Sequence, residues 1–100
     1  MKLYLAIKKV IDELGTEAFR SNMAVNVLAD YGAYNDIPAI KQILKDLISQ
    51  GYGNELAAII NSSVDSHTAI KLQAIQTKFI QQNGYKEDLV GFLIDSIKYA

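Results

Sequence analysis

Apolar residues recur along this chain at helical spacing, and each recurrence ends at a glycine or a cluster of capping residues. Over 2–14, Leu3, Ile7, Val10, Ile11 and Leu14 fall at i, i+4, i+7, i+8 and i+11, which is one face of a helix. Gly15 is the expected stop, because glycine adopts the left-handed conformation at a helix end cheaply. The segment TEAFRS is expected to form no more than one short turn. Asn22 is the expected cap of a helix over 23–31, with Ala24, Val27, Leu28 and Tyr31 on one side. Asp36 and Pro38 signal the start of a helix over 37–50, whose buried stripe is Ile40, Ile43, Leu44, Leu47 and Ile48. Asn54 caps a helix over about 55–61, Asp65 or Ser66 opens one over 67–83, and the last runs over 86–100.

That last segment differs from the rest. Leu89, Val90, Phe92, Leu93, Ile94 and Ile97 cover more than one stripe, so the helix is central in the fold or meets a partner. No run alternates with the period of a strand, and no heptad pattern persists. The expected fold is therefore all-α, a compact bundle of five or six short helices forming a single domain over 1–100. The expected core is Leu3, Ile7, Val10, Ile11, Leu28, Ile40, Ile43, Leu44, Leu47, Phe79, Leu89, Leu93 and Ile97, with Tyr31 inside and its hydroxyl at the edge.

Composition narrows the functional classes. Half of the 100 residues are hydrophobic, which suffices for one core without staples. Ten basic and eleven acidic residues are interspersed, with a net charge of −1. A nucleic-acid binder concentrates positive charge on a face or stripe, and this chain does not. There is no cysteine, which excludes disulfides, zinc–thiolate sites and thiol chemistry. The N-terminus has neither the apolar run nor the cleavage site of a secretory signal, and no segment reaches the ~18 apolar residues of a membrane span. The expectation is a cytoplasmic protein with no membrane association.

Candidate chemistry is thin. His67 is the only histidine, and Asp65 and Ser66 beside it in sequence do not make a triad. It is read as an exposed first-turn residue, so His67→Ala is expected to leave any activity intact. The segment Asp30 to Asp36 lacks the alternation and terminal Glu of a calcium loop. Glu87 and Asp88 are consecutive, so they diverge on a helix, and the helix dipole favours both in a first turn. GYGN at 51–54 precedes a helix but lacks the Lys-Ser/Thr of a phosphate loop. It is read as Gly51 ending one helix and Gly53 letting the chain turn into the next. No enzyme, cofactor or metal is expected.

The stretch LADYGAYNDIPAIKQILKDLISQGYGNEL resembles a small helical module of bacterial multidomain proteins. That module is appended to tetratricopeptide, heat-shock-chaperone-like or formylglycine-enzyme-like regions, and it also occurs alone. Phe79, Gly84, Tyr85, Asp88, Leu89, Ile94, Asp95, Ile97 and Tyr99 are similar to its C-terminal half. Two features depart from it. Met23 stands where the module usually has a basic residue, and the module tends to run a few residues beyond Ala100, so a fragment of a longer chain is a second expectation. The resemblance implies an adaptor or scaffolding role, with no catalytic residue.

The functional expectation is a non-catalytic protein–protein interaction or scaffolding module that binds a protein partner or self-associates as a homodimer. The candidate surface is Phe92, Ile94 and Tyr99 on the last helix; the loop aromatics Tyr34 and Tyr52 either cover an end of the core or join such a surface, where tyrosine offers large contact area at low entropic cost. The two loop tyrosines flank a helix about 20 Å long, at about 1.5 Å per residue, and so are not expected to form one patch. The alternative is a helix-turn-helix regulator that binds DNA through Lys41, Gln42, Lys45 and Asp46. The near-neutral charge argues against it, and no nucleic acid is expected.

Overall fold

The computed structural model describes residues 2–61 and 66–98. Six α-helices appear there, α1 (Leu3–Leu14), α2 (Met23–Asp30), α3 (Ala39–Leu47), α4 (Gly53–Asn61), α5 (Ser66–Asn83) and α6 (Glu87–Lys98). A 3₁₀ turn (Thr16–Arg20) joins α1 to α2, and a π-type turn (Ile48–Tyr52) joins α3 to α4. No strand occurs among the described residues, and none of their helices is long and apolar enough to cross a membrane. The molecule is an all-α bundle with extents of 29 × 28 × 21 Å.

The stripes fold as their spacing dictates. Leu3, Ile7 and Val10 of α1, and Ile40, Ile43, Leu44 and Leu47 of α3, are buried in one shared core with Leu28, Phe79, Leu93 and Ile97. Ile11 and Leu89 pack against that core but stay half-buried at its edge. On α2 the buried set is Ala24, Val25 and Leu28, so Val25 replaces Val27 in the expected stripe. Phe19, from the 3₁₀ turn, is a fully buried core residue outside the expected set.

The helix ends show why glycine was a good guide and the cap residues a poorer one. After α2, the Gly32 N–H donates to the Ala29 carbonyl and the Ala33 N–H to the Leu28 carbonyl. That is a Schellman closure, with Gly32 at φ 72° and Ala33 and Leu28 both buried. Asn22 makes no side-chain cap. The Ser21 hydroxyl instead accepts from the Met23 N–H at 3.3 Å. Asp36 does not cap α3 either, because the regular helix starts at Ala39 behind Pro38. Asn54 lies inside α4, and its Oδ1 accepts from Arg20 Nη1 at 3.1 Å.

GYGN also divides its labour differently from the expectation. Gly51 stops the helical path at φ 97°. Gly53 is already helical, at φ −58°, so it is not there for its turning freedom. A Cβ at Gly53 would stand 2.5 Å from the Phe19 carbonyl oxygen. Glycine is therefore required for close approach, letting α4 lie directly on the 3₁₀ turn.

The position of α6 explains its excess of apolar residues. It packs against α1, α3 and α5 at once, burying Val90, Leu93, Ile94 and Ile97. A helix with three neighbours needs more than one apolar stripe. Phe92 is the large side chain that this arrangement leaves outside.

Candidate functional site

Five residues were candidates for a contact surface, and the structure separates them. Ile94 is only 3% exposed, on a helix that packs against three others. Tyr34 is buried, and its hydroxyl donates to the Val25 carbonyl at 3.0 Å. Burial pushes its phenol well above the ordinary tyrosine value. Tyr52 is buried, and its hydroxyl donates to Gln82 Oε1 at 2.9 Å. These three side chains are not available as surface anchors. Tyr99 lies outside the described residues. Phe92 remains, 45% exposed on the outer side of α6.

Tyr52 belongs to a buckle between the C-terminal ends of α3 and α5. Its ring meets Phe79 edge-on, with centroids 6.2 Å apart, and Tyr85 stacks on Phe79 at 5.6 Å. The Tyr85 hydroxyl donates to the Asp46 carboxylate, which raises the Tyr85 phenol above its usual value. Gln50 and Asn83 exchange amide hydrogen bonds at 2.7 and 3.0 Å. The loop tyrosine there closes the end of the core with both its face and its hydroxyl satisfied. A comparable link ties α1 to the end of α2. The Tyr31 hydroxyl donates to Glu13 at 2.7 Å, and the Lys9 ammonium sits 4.6 Å over the Tyr31 ring. The Glu13 carboxylate accepting that bond raises the Tyr31 phenol.

Phe92 has a neighbour that sequence reasoning missed. Tyr4, in the first turn of α1, is 42% exposed. The two aromatics line one groove of about 390 Å³, which runs between the start of α1, the turn after α2 and the middle of α6. Ile37, Ile40 and Ala33 form its apolar side, and Lys2 and Asp36 stand at its rim. A shallower depression of about 250 Å³ continues from Tyr4 and Phe92 to Asp95 and Ser96. The Ser96 hydroxyl is already bonded to the Phe92 carbonyl at 2.8 Å, so its own hydrogen goes back into the helix. The signal available in the sequence was an aromatic residue next to a stripe rather than in it. Tyr4 adjoins Leu3, and Phe92 adjoins Leu93.

The candidate chemical groups do not converge. His67 is exposed in the first turn of α5, and Glu87 and Asp88 are exposed in the first turn of α6. Asp30 and Asp36 are exposed as well. No cluster of three metal-ligating side chains occurs among the described residues. On α3, Lys41, Gln42 and Lys45 point outward, and Asp46 accepts from Gln42 Nε2 at 2.9 Å as well as from Tyr85.

Compared with protein-family models, with curated proteins and with solved structures, the chain shows no match.

Proposed function

We propose that this domain is a non-catalytic protein-interaction module that uses the face around Tyr4 and Phe92 to bind its partner. The observation that carries this reading is an exposed aromatic pair bordering one apolar groove on an otherwise well-satisfied helical bundle. Binding energy at protein interfaces concentrates in a few aromatic anchors set beside such pockets. Charges of both signs at the rim suit a specific protein contact better than a polyanion. An adaptor or scaffolding role, as the resemblance to the bacterial module implies, is consistent with this surface. The helix-turn-helix alternative has less support, since the outward face of α3 offers two lysines beside an Asp46 already engaged by Gln42 and Tyr85.

Paired pull-downs from the native host, using wild-type and Phe92→Glu baits, test the proposal. A partner held by the first and lost by the second is expected. Light scattering on the purified protein at high concentration distinguishes self-association from a different partner. A DNA mobility shift that persists at about 150 mM salt would favour the helix-turn-helix reading instead.

A further inference from the structure

A second concavity lies between α4 and α5, lined separately from the Tyr4–Phe92 groove. α4 rests on the 3₁₀ turn and α5 on α6, and the space between them opens into a cleft of about 420 Å³. That volume falls within the roughly 300–1,000 Å³ typical of small-molecule sites. The apolar part of its floor is made by the buried Ile59 of α4 and Ile75 of α5; the buried Tyr52 and Thr68 line it too, and Ala74 is exposed at its edge.

The rim carries asymmetric charge. Lys71 and Lys78 both line the cleft from α5. They are seven residues apart, which is two helical turns, so they lie on one face about 10 Å apart along the axis. Glu55 is the single carboxylate, on the α4 side. Among the described residues, neither lysine is within ion-pair distance of a carboxylate. An apolar floor with two ammonium groups along one wall matches a ligand that has an apolar body and one anionic head. A neutral apolar ligand would leave the lysines unused, and a small inorganic anion would leave the floor unused.

We infer that the α4–α5 cleft binds a free amphipathic anion, with its alkyl or aryl body on Ile59 and Ile75 and its anionic head at Lys71 or Lys78. The proposal is independent of the Tyr4–Phe92 face and holds whether or not that face docks a protein.

Amide NMR titration of the whole chain with decanoate, below its micelle concentration, tests this directly. The expected result is saturable shifts centred on Ala58, Ile59, Ala74 and Ile75. Decanol, which has the body without the charge, and acetate, which has the charge without the body, should each bind about tenfold more weakly or worse, as expected when one charged contact or the apolar contact is lost. The double variant Lys71→Gln/Lys78→Gln changes only exposed side chains and should weaken decanoate by about tenfold, while its spectrum elsewhere stays unchanged. No saturable shift, shifts centred on another face, decanol binding as well as decanoate, or undiminished binding to the double variant would each overturn the inference.

Discussion

Gly53 lies so close to Phe19 that a side chain on the glycine would meet the Phe19 carbonyl oxygen at 2.5 Å. The close approach lies where α4 packs on the 3₁₀ turn. Alanine at position 53 would gain up to ~1 kcal/mol in helix propensity. The obstacle, however, is backbone and cannot rotate away, so overpacking decides the sign. Gly53→Ala should destabilise by about 2–3 kcal/mol. Gly51→Ala should cost about 1–2 kcal/mol for a different reason, since its φ is 97° but nothing stands within 4 Å of a Cβ there. Urea denaturation of both variants measures the order. If Gly53→Ala proved the milder of the two, the close approach would not constrain the fold.

Leu44 is fully buried in the middle of the α3 stripe. Truncation to alanine removes buried methyl groups and leaves a cavity, so Leu44→Ala should cost about 2–5 kcal/mol. The same denaturation measurement checks it, and a loss below about 1 kcal/mol would mean that the site collapses around the smaller side chain.

Tyr34 links stability to alkaline pH. Its phenol ionises near pH 10 in an unfolded chain, and burial raises that value in the folded state. Below pH 10 both states hold the proton and stability is flat in this respect. Above pH 10 the unfolded chain releases its proton while the folded one keeps it, so stability falls as pH rises toward the folded value. Tyr34→Phe removes this term. It should lose about 1 kcal/mol at neutral pH, for the hydrogen bond to Val25, and show a shallower decline above pH 10. Parallel stability curves for the two proteins above pH 10 would assign the alkaline decline to other groups.

Tyr85 and Asp46 tie the start of α6 to α3 across the end of the core. A double-mutant cycle with Tyr85→Phe and Asp46→Asn should give a favourable coupling of about 1 kcal/mol, since the acceptor is charged but partly exposed. Additive single effects would show that the stacking of Tyr85 on Phe79, rather than its hydroxyl, holds the buckle.

The fold was legible because its information is periodic. Leu3, Ile7 and Val10, or Ile40, Ile43, Leu44 and Leu47, repeat often enough to define a face. Gly32 marks where the face ends because few other residues adopt its conformation. Phe19 was missed because a five-residue 3₁₀ turn is too short to display a period. The caps were less legible: Asn22 stands at the N-cap of α2 but leaves the hydrogen bond to Ser21, Asp36 lies ahead of the first regular turn of α3, and Asn54 sits inside α4 and accepts from Arg20.

The surface was harder to read for a related reason. A stripe says which residues share a face but not how many neighbours cover it. Ile94 reads as an excess apolar residue in the sequence, but α6 has three neighbours; the loop aromatics Tyr34 and Tyr52 are buried, with their hydroxyls on Val25 and Gln82. Phe92 stayed outside, and Tyr4 joined it from the opposite end of the sequence, where no one-dimensional pattern connects them.

Recovery of a native-host partner on equal amounts of wild-type and Phe92→Glu bait is the most direct test of the interaction surface. Phe92 is partly exposed already, so the charged variant should keep its helical circular dichroism and its unfolding midpoint. The account predicts that it recovers at least about tenfold less partner, as loss of an aromatic anchor at the centre of an interface would produce. Equal recovery by the two folded baits would contradict it.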